Sequence, residues 1–266
     1  MSISQAIIIA IIEGLTEFLP ISSTAHMKFV NPMLGVTSSA FTDMFEVVIQ
    51  LAAILAVIVL YWKKFFNFKK VSFYIKLIIA VFPALIAGFL LKKHIDIALG
   101  NLSFIAWVMV GGGILLLFID KLFTTPVIDS EEKISAKNSF VIGCGQVLSI
   151  VFPGLSRSAA TIITGMSQKL SRSAAAEFSF FLAVPTMLAA SAKSFLDTYK
   201  TNPEVIGKDN LITLLIGSIV AFTVALLAIK FFIGFLKKYG FKVWGIYRII
   251  IGIAMLIFIY TGIIKS

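Results

Sequence analysis

The stretch EGLTEFLPISSTAH, positions 13 to 26, gathers two glutamates, two serines, two threonines and one of the chain's two histidines. Glu13 and Glu17 are four residues apart, so on a helix they project from one face a turn apart. Two ionised carboxylates that close repel each other, and burial worsens the cost; they call for a divalent cation, an arginine or a shared proton. A proline follows, and the serines then open a new helix with Ser22 or Ser23 as its N-cap. His26 lies three residues beyond Ser23 on the same face. That spacing brings imidazole within reach of the hydroxyl, an expected nucleophile with an acid/base partner.

A second stretch, PGLSRSAAT at positions 153 to 161, repeats the pattern of proline, small residues and helix start. Ser156 is the expected cap and Arg157 falls immediately inside the helix. Capping accounts for any single serine here. It does not account for an arginine in an apolar neighbourhood. Free backbone N–H groups at a helix start, hydroxyls and a guanidinium fork together suit an anion, phosphate above all. Brought together, two such helix starts would grip a pyrophosphate. His94, in LKKHID, sits at a loop edge and reads as interfacial, and Lys169 and Arg172 as an ordinary charged turn.

These residues lie in a chain built for a membrane. It has 266 residues, is 59% hydrophobic and only 14% charged, with a mean hydropathy of +1.01. Apolar runs recur along the whole length without the alternation of a barrel strand, so the fold class is all-α and polytopic. Six segments are long enough to span, about 43–62, 73–91, 102–120, 174–192, 211–230 and 243–263. Residues 3–35 and 138–169 are different: each is a short apolar stretch broken at Pro20 or at Pro153-Gly154, the mark of a re-entrant helical hairpin. With Pro20 and Pro153 as anchors, Ser23 matches Ser156, and Glu46 and Glu177 fall at similar offsets. The chain is then one membrane domain of two repeats, about 1–120 and 138–266, joined by a linker at about 121–137. Each repeat has three spans, an odd number, so the second is inverted relative to the first.

The formal charge of +10 does not indicate nucleic acid. Lysines cluster in short loops flanked by aromatics, as in YWKKFFNFKK, which is the pattern of interfacial anchors. Loops 63–70, 121–137 and 230–242 carry eleven lysines against seven on the other side, the tails included. That bias puts the first group inside and both termini outside. The N-terminus lacks the features of a cleaved secretory signal. Cys144, the single cysteine, excludes an intramolecular disulfide and a cysteine-based metal site.

The two motifs, with FEVVIQLAAILAV and EFSFFLAVP in the adjoining spans, resemble those of the bacterial undecaprenyl-pyrophosphate phosphatases, the bacitracin-resistance membrane proteins. The resemblance covers essentially the whole chain. Ala25 departs from it, standing where glycine is usual; alanine costs little on a helix. The resemblance implies a metal-dependent hydrolase of the bacterial plasma membrane, with its site open to the outer side. Its substrate would be undecaprenyl pyrophosphate, cut to the monophosphate so that the lipid carrier of cell-wall synthesis is recycled. By motif position, Glu13 and Glu17 would bind Mg²⁺ or Ca²⁺ or act in acid/base work. Ser23 and His26 would be nucleophile and proton-transfer partner. Arg157, Ser156 and Thr161 would hold phosphate, with Ser22 and Ser158 beside them. Ser23, His26 and a metal-bound water stay open as the attacking group, and a homodimer stays open as the assembly. A carrier is the alternative, either a polyprenyl-phosphate flippase or an ion-coupled anion transporter, because broken helices and buried acids serve transport too. A carrier, however, needs no hydroxyl nucleophile beside a base.

Overall fold

The computed structural model describes residues 1–264, apart from the side chain of Lys237. Lys265, counted above among the outer lysines, lies outside the described residues.

Six long apolar helices stand where the hydropathy puts spans: α3 (Ala40–Leu60), α5 (Val71–Leu90), α7 (Leu102–Leu122), α10 (Arg172–Thr201), α11 (Lys208–Tyr239) and α12 (Lys242–Tyr260). Local chemistry sets several of their starts. Ser39 caps α3 by accepting from the Thr42 amide, Asn101 caps α7 from Phe104, and Ser171 caps α10 from Ala174. At 30 and 32 residues, α10 and α11 outrun their expected spans and, at about 1.5 Å per residue, a hydrocarbon core about 30 Å thick. Pro83 and Pro185 sit inside helices without ending them.

The two broken stretches each form a helix pair. The first pair is α1 (Ile3–Thr16) and α2 (Ser23–Met33); the second is α8 (Ala136–Val151) and α9 (Arg157–Ser167). None of these exceeds 16 residues, so none spans alone. Two short helices complete the set, α4 (Trp62–Phe65) and α6 (Lys92–Leu99).

The main helix pairings correspond when α1, α3, α5 and α7 are exchanged with α8, α10, α11 and α12. Helix α1 lies along α11, and α8 lies along α5; α3 pairs with α10, and α7 with α12. Glycine permits both of the exchanged contacts. A Cβ on Gly14 would stand 2.6 Å from the Ala221 carbonyl oxygen of α11, and one on Gly143 would fall against the Ala80 carbonyl of α5. Small residues that let membrane helices approach closely do the work that apolar burial does in water.

The register differs from the expected one by a residue. Ser22, not Ser23, is the counterpart of Ser156. Both are N-caps in the left-handed region, at φ 69° and 76°, and each accepts from the amide three residues on at 3.3 Å. The helix start is defined by its cap rather than by the preceding proline, and the first break is one residue shorter from proline to cap.

Buried aromatics fill the centre. Phe181 receives Tyr61, Phe65 and Phe73 edge-on, with ring centroids 5.0 to 5.7 Å apart. Apolar side chains such as Phe89 and Leu227 point outward, 77% and 67% exposed, as a lipid-facing belt requires.

Candidate active site

The two breaks meet. Leu19 lies in the first, and its carbonyl accepts from Ser158 Oγ at 2.8 Å and from Ser156 Oγ at 3.4 Å. Glu17 closes the junction. Its Oε2 accepts from Ser23 Oγ at 2.6 Å, and its Oε1 accepts from Arg157 Nη2 at 2.7 Å. One buried carboxylate thus holds a hydroxyl from its own helix pair and the guanidinium of the other. Charge-assisted bonds of this length are about twice as strong as neutral ones.

Arg157 is held from behind as well. Its Nη1 donates to the Ser179 carbonyl at 3.0 Å, while Thr161 Oγ1 pairs with Ser179 Oγ at 2.7 Å. Arg157 Nε has no partner among the described residues. The fork is therefore fixed at two points with donor capacity to spare, which is what phosphate binding needs.

A cavity of about 320 Å³ opens over this junction. Glu17, Ser22, Ser23, Ser156 and Arg157 line its polar side, and Ile95, Leu99, Ile150 and Met187 form an apolar wall. Gln50 of α3 also faces it, a residue the sequence shows only within an apolar run.

The structure does not gather every expected residue at this wall. Glu13, Ser158, Thr161 and His26 do not line the cavity. Ser158 is spent on the Leu19 carbonyl, and Thr161 stands behind Arg157. Both hold the site's framework together. The expected contact of His26 with Ser23 is not made. His26 Nδ1 lies 2.8 Å from the Ser22 carbonyl oxygen and Nε2 lies 2.9 Å from the Tyr247 hydroxyl, so the ring turns toward α12. Sharing a helix face brought the two residues near, but side-chain direction decided the partner.

Glu13 is wholly buried, and neither of its carboxylate oxygens has a partner among the described residues. A bare buried carboxylate is costly without a cation or a proton. Glu13 and Glu17 are hard oxygen donors, and Mg²⁺ typically takes one or two carboxylates and completes its shell with water and substrate phosphate. The donor set fits a divalent cation of that kind. No cluster of three or more His, Cys, Asp or Glu occurs among the described residues, so a fully protein-caged metal does not fit.

Arg248 was not foreseen. It is fully buried on α12 and donates to the carbonyls of Pro20 in the first break and of Gly154 and Leu155 in the second, at 2.7 to 3.0 Å. Its Nε reaches Met109 of α7 at 3.2 Å. Buried irregular backbone must find internal donors, and here one guanidinium supplies both breaks. The signal was present in GIYRIII, a lone arginine in an apolar span.

A model of the family described as bacitracin resistance protein BacA matches residues 6–254. The chain belongs to this family. It is 49% identical to an undecaprenyl-diphosphatase of Porphyromonas gingivalis, over 99% of both chains. With the undecaprenyl-diphosphatase of Flavobacterium psychrophilum it shares 51% over 97% of this chain and 96% of that one. With that of Bdellovibrio bacteriovorus it shares 45% over 98% of both. Both motifs fall inside the matched BacA region.

Proposed function

We propose that this chain is an undecaprenyl-diphosphatase, removing the terminal phosphate of undecaprenyl pyrophosphate to leave undecaprenyl phosphate. The observation that carries the reading is Glu17, bonded at once to the Ser23 hydroxyl and to Arg157 at the wall of a cavity. Arg157 and the amides opening α2 and α9 bind the phosphate oxygens. Glu17 takes the Ser23 proton as Oγ forms a bond to the terminal phosphorus, and the P–O bond to undecaprenyl phosphate breaks. Water then attacks the phosphoserine and releases inorganic phosphate, and Ser23 recovers its proton. Glu13 and Glu17 would hold a divalent cation, Mg²⁺ or Ca²⁺. When bound, it would neutralise charge on the phosphates. The apolar wall of Ile95, Leu99, Ile150 and Met187 suits the first isoprene units.

The same reading places the chain in the bacterial plasma membrane with the cavity open to the outer side. The α1–α2 and α8–α9 pairs would be re-entrant, in repeats of inverted topology. The carrier alternative leaves the hydroxyl-carboxylate pair at the cavity wall without a use. The test is direct: purified protein in detergent should release one phosphate per undecaprenyl pyrophosphate and leave the monophosphate. Transport into vesicles with no phosphate released would favour the carrier.

A further inference from the structure

The His26–Tyr247 pair has a use that proton transfer to Ser23 does not explain. The Ser22 carbonyl can only accept, so the imidazole nitrogen 2.8 Å from it, Nδ1, carries a proton. The other nitrogen, Nε2, meets the Tyr247 hydroxyl at 2.9 Å, and the two rings lie within 9° of parallel. Both ring nitrogens are therefore engaged away from Ser23, whose hydroxyl is given to Glu17.

The carbonyl that His26 holds belongs to a strained residue. Ser22 caps α2 at φ 69°, a region unusual for anything but glycine, and such a conformation persists only where its surroundings fix it. The peptide that begins at this carbonyl leads directly into Ser23, so its tilt sets where Oγ points. Arg248, the residue after Tyr247, grips the Pro20 carbonyl two positions upstream of Ser22. Neighbouring side chains of α12 thus hold the first break at both ends of Pro20–Ser22.

We infer that Tyr247 is a positioning residue, acting through His26 to aim the Ser23 hydroxyl at Glu17, and that His26 itself positions Ser22 and moves no proton in the reaction. The inference rests on the phosphatase reading for its kinetic arm only.

His26→Gln separates positioning from proton transfer. Its planar side-chain amide can donate an N–H to the Ser22 carbonyl and accept at its oxygen from the Tyr247 hydroxyl, but it cannot act as a base near neutral pH. Phosphate release should stay within about threefold of wild type for His26→Gln, and fall about tenfold for His26→Ala and for Tyr247→Phe. The losses should appear in kcat rather than KM, and the double variant His26→Ala/Tyr247→Phe should be no slower than His26→Ala alone. A His26→Gln protein as slow as His26→Ala, with both down by about 10²-fold or more, would overturn the inference, since that is the loss expected of a missing general acid or base. Tyr247→Phe removes one oxygen and keeps the ring, so misfolding should not obscure the result.

A second readout needs no turnover. The chain has two histidines, and in a His94→Gln background a nitrogen-15 histidine spectrum reports His26 alone. A proton on Nδ1, with an Nε2 resonance that moves on Tyr247→Phe, is expected. A neutral ring protonated on Nε2 alone would contradict the inference, whatever the fate of the phosphatase reading.

Discussion

Glu17 Oε1 and Oε2 serve two groups whose needs differ. As the proposed nucleophile, Ser23 would need a proton acceptor, and Arg157, as the proposed phosphate ligand, would need a counter-charge until phosphate arrives. Arg157 also reaches Ser179, so its planar fork spans two acceptors at 2.7 and 3.0 Å. A lysine has one ammonium and cannot hold that geometry. Arg157→Lys should lose about 10²-fold or more in phosphate release, within the range for removing one aimed electrostatic donor. Arg172→Lys is the control: Arg172 pairs with Asp120 at a partly exposed loop edge, where such a pair is worth about 1 kcal/mol or less, and activity should hardly change. Glu13 has no partner for its charge among the described residues, which makes a stability measurement informative. Glu13→Gln removes a buried carboxylate, so in chelator the variant should melt higher than wild type. Added Mg²⁺ should raise the wild-type melting temperature and leave the variant's unmoved. Chelation should also stop wild-type turnover. Equal Mg²⁺ shifts in the two proteins would remove Glu13 from the cation site.

The elements that matter most are the two breaks, and their geometry explains what the sequence did and did not disclose. Hydropathy placed all six spans, because a 20-residue apolar run has few other fates. It also marked the broken stretches, because Pro20 and Pro153-Gly154 interrupt runs too short to cross. The prolines misplaced the register by one, however, since Ser22 and Ser156 define the helix starts. Ser22→Asn should therefore keep the fold and much of the activity, asparagine both capping well and tolerating positive φ. Ser22→Ala should cost about 1 kcal/mol of stability. Within the site, Glu17, Ser23 and Arg157 were legible as unlike residues in two rare motifs. The partners of Arg248 were not, since backbone carbonyls leave no trace in residue type. Arg248→Lys tests that role. It strands carbonyls in both breaks, each worth about 1–3 kcal/mol when buried without a donor, so the variant should melt well below wild type and lose activity with it. A normal melting temperature would mean that water or other groups satisfy the breaks.

Across the whole molecule, the contacts sort the loops by end. Lys64 pairs with Glu131, Lys76 donates to the Glu131 and Glu132 carbonyls, and Asp120 binds both Arg172 and the Phe241 amide. The loop after α3, the linker, the α9–α10 turn and the α11–α12 turn thus share one face, the grouping that the lysine bias also makes. In a Cys144→Ala background, cysteines near 65 or 238 should be shielded from an impermeant thiol reagent in intact cells, and those near 96 or 202 should react. The opposite pattern would invert the molecule in the membrane. Either way the proposed chemistry draws on both halves, because Ser23 comes from one and Arg157 from the other, with Glu17 bonded to both. The most direct measurement is phosphate release from undecaprenyl pyrophosphate by Ser23→Ala. Ser22 holds the cap, so this substitution leaves the helix start intact and removes only the hydroxyl facing Glu17. A protein that melts like wild type and releases phosphate no faster than the detergent blank is the expected result; release at near the wild-type rate would contradict the assignment of Ser23 as nucleophile.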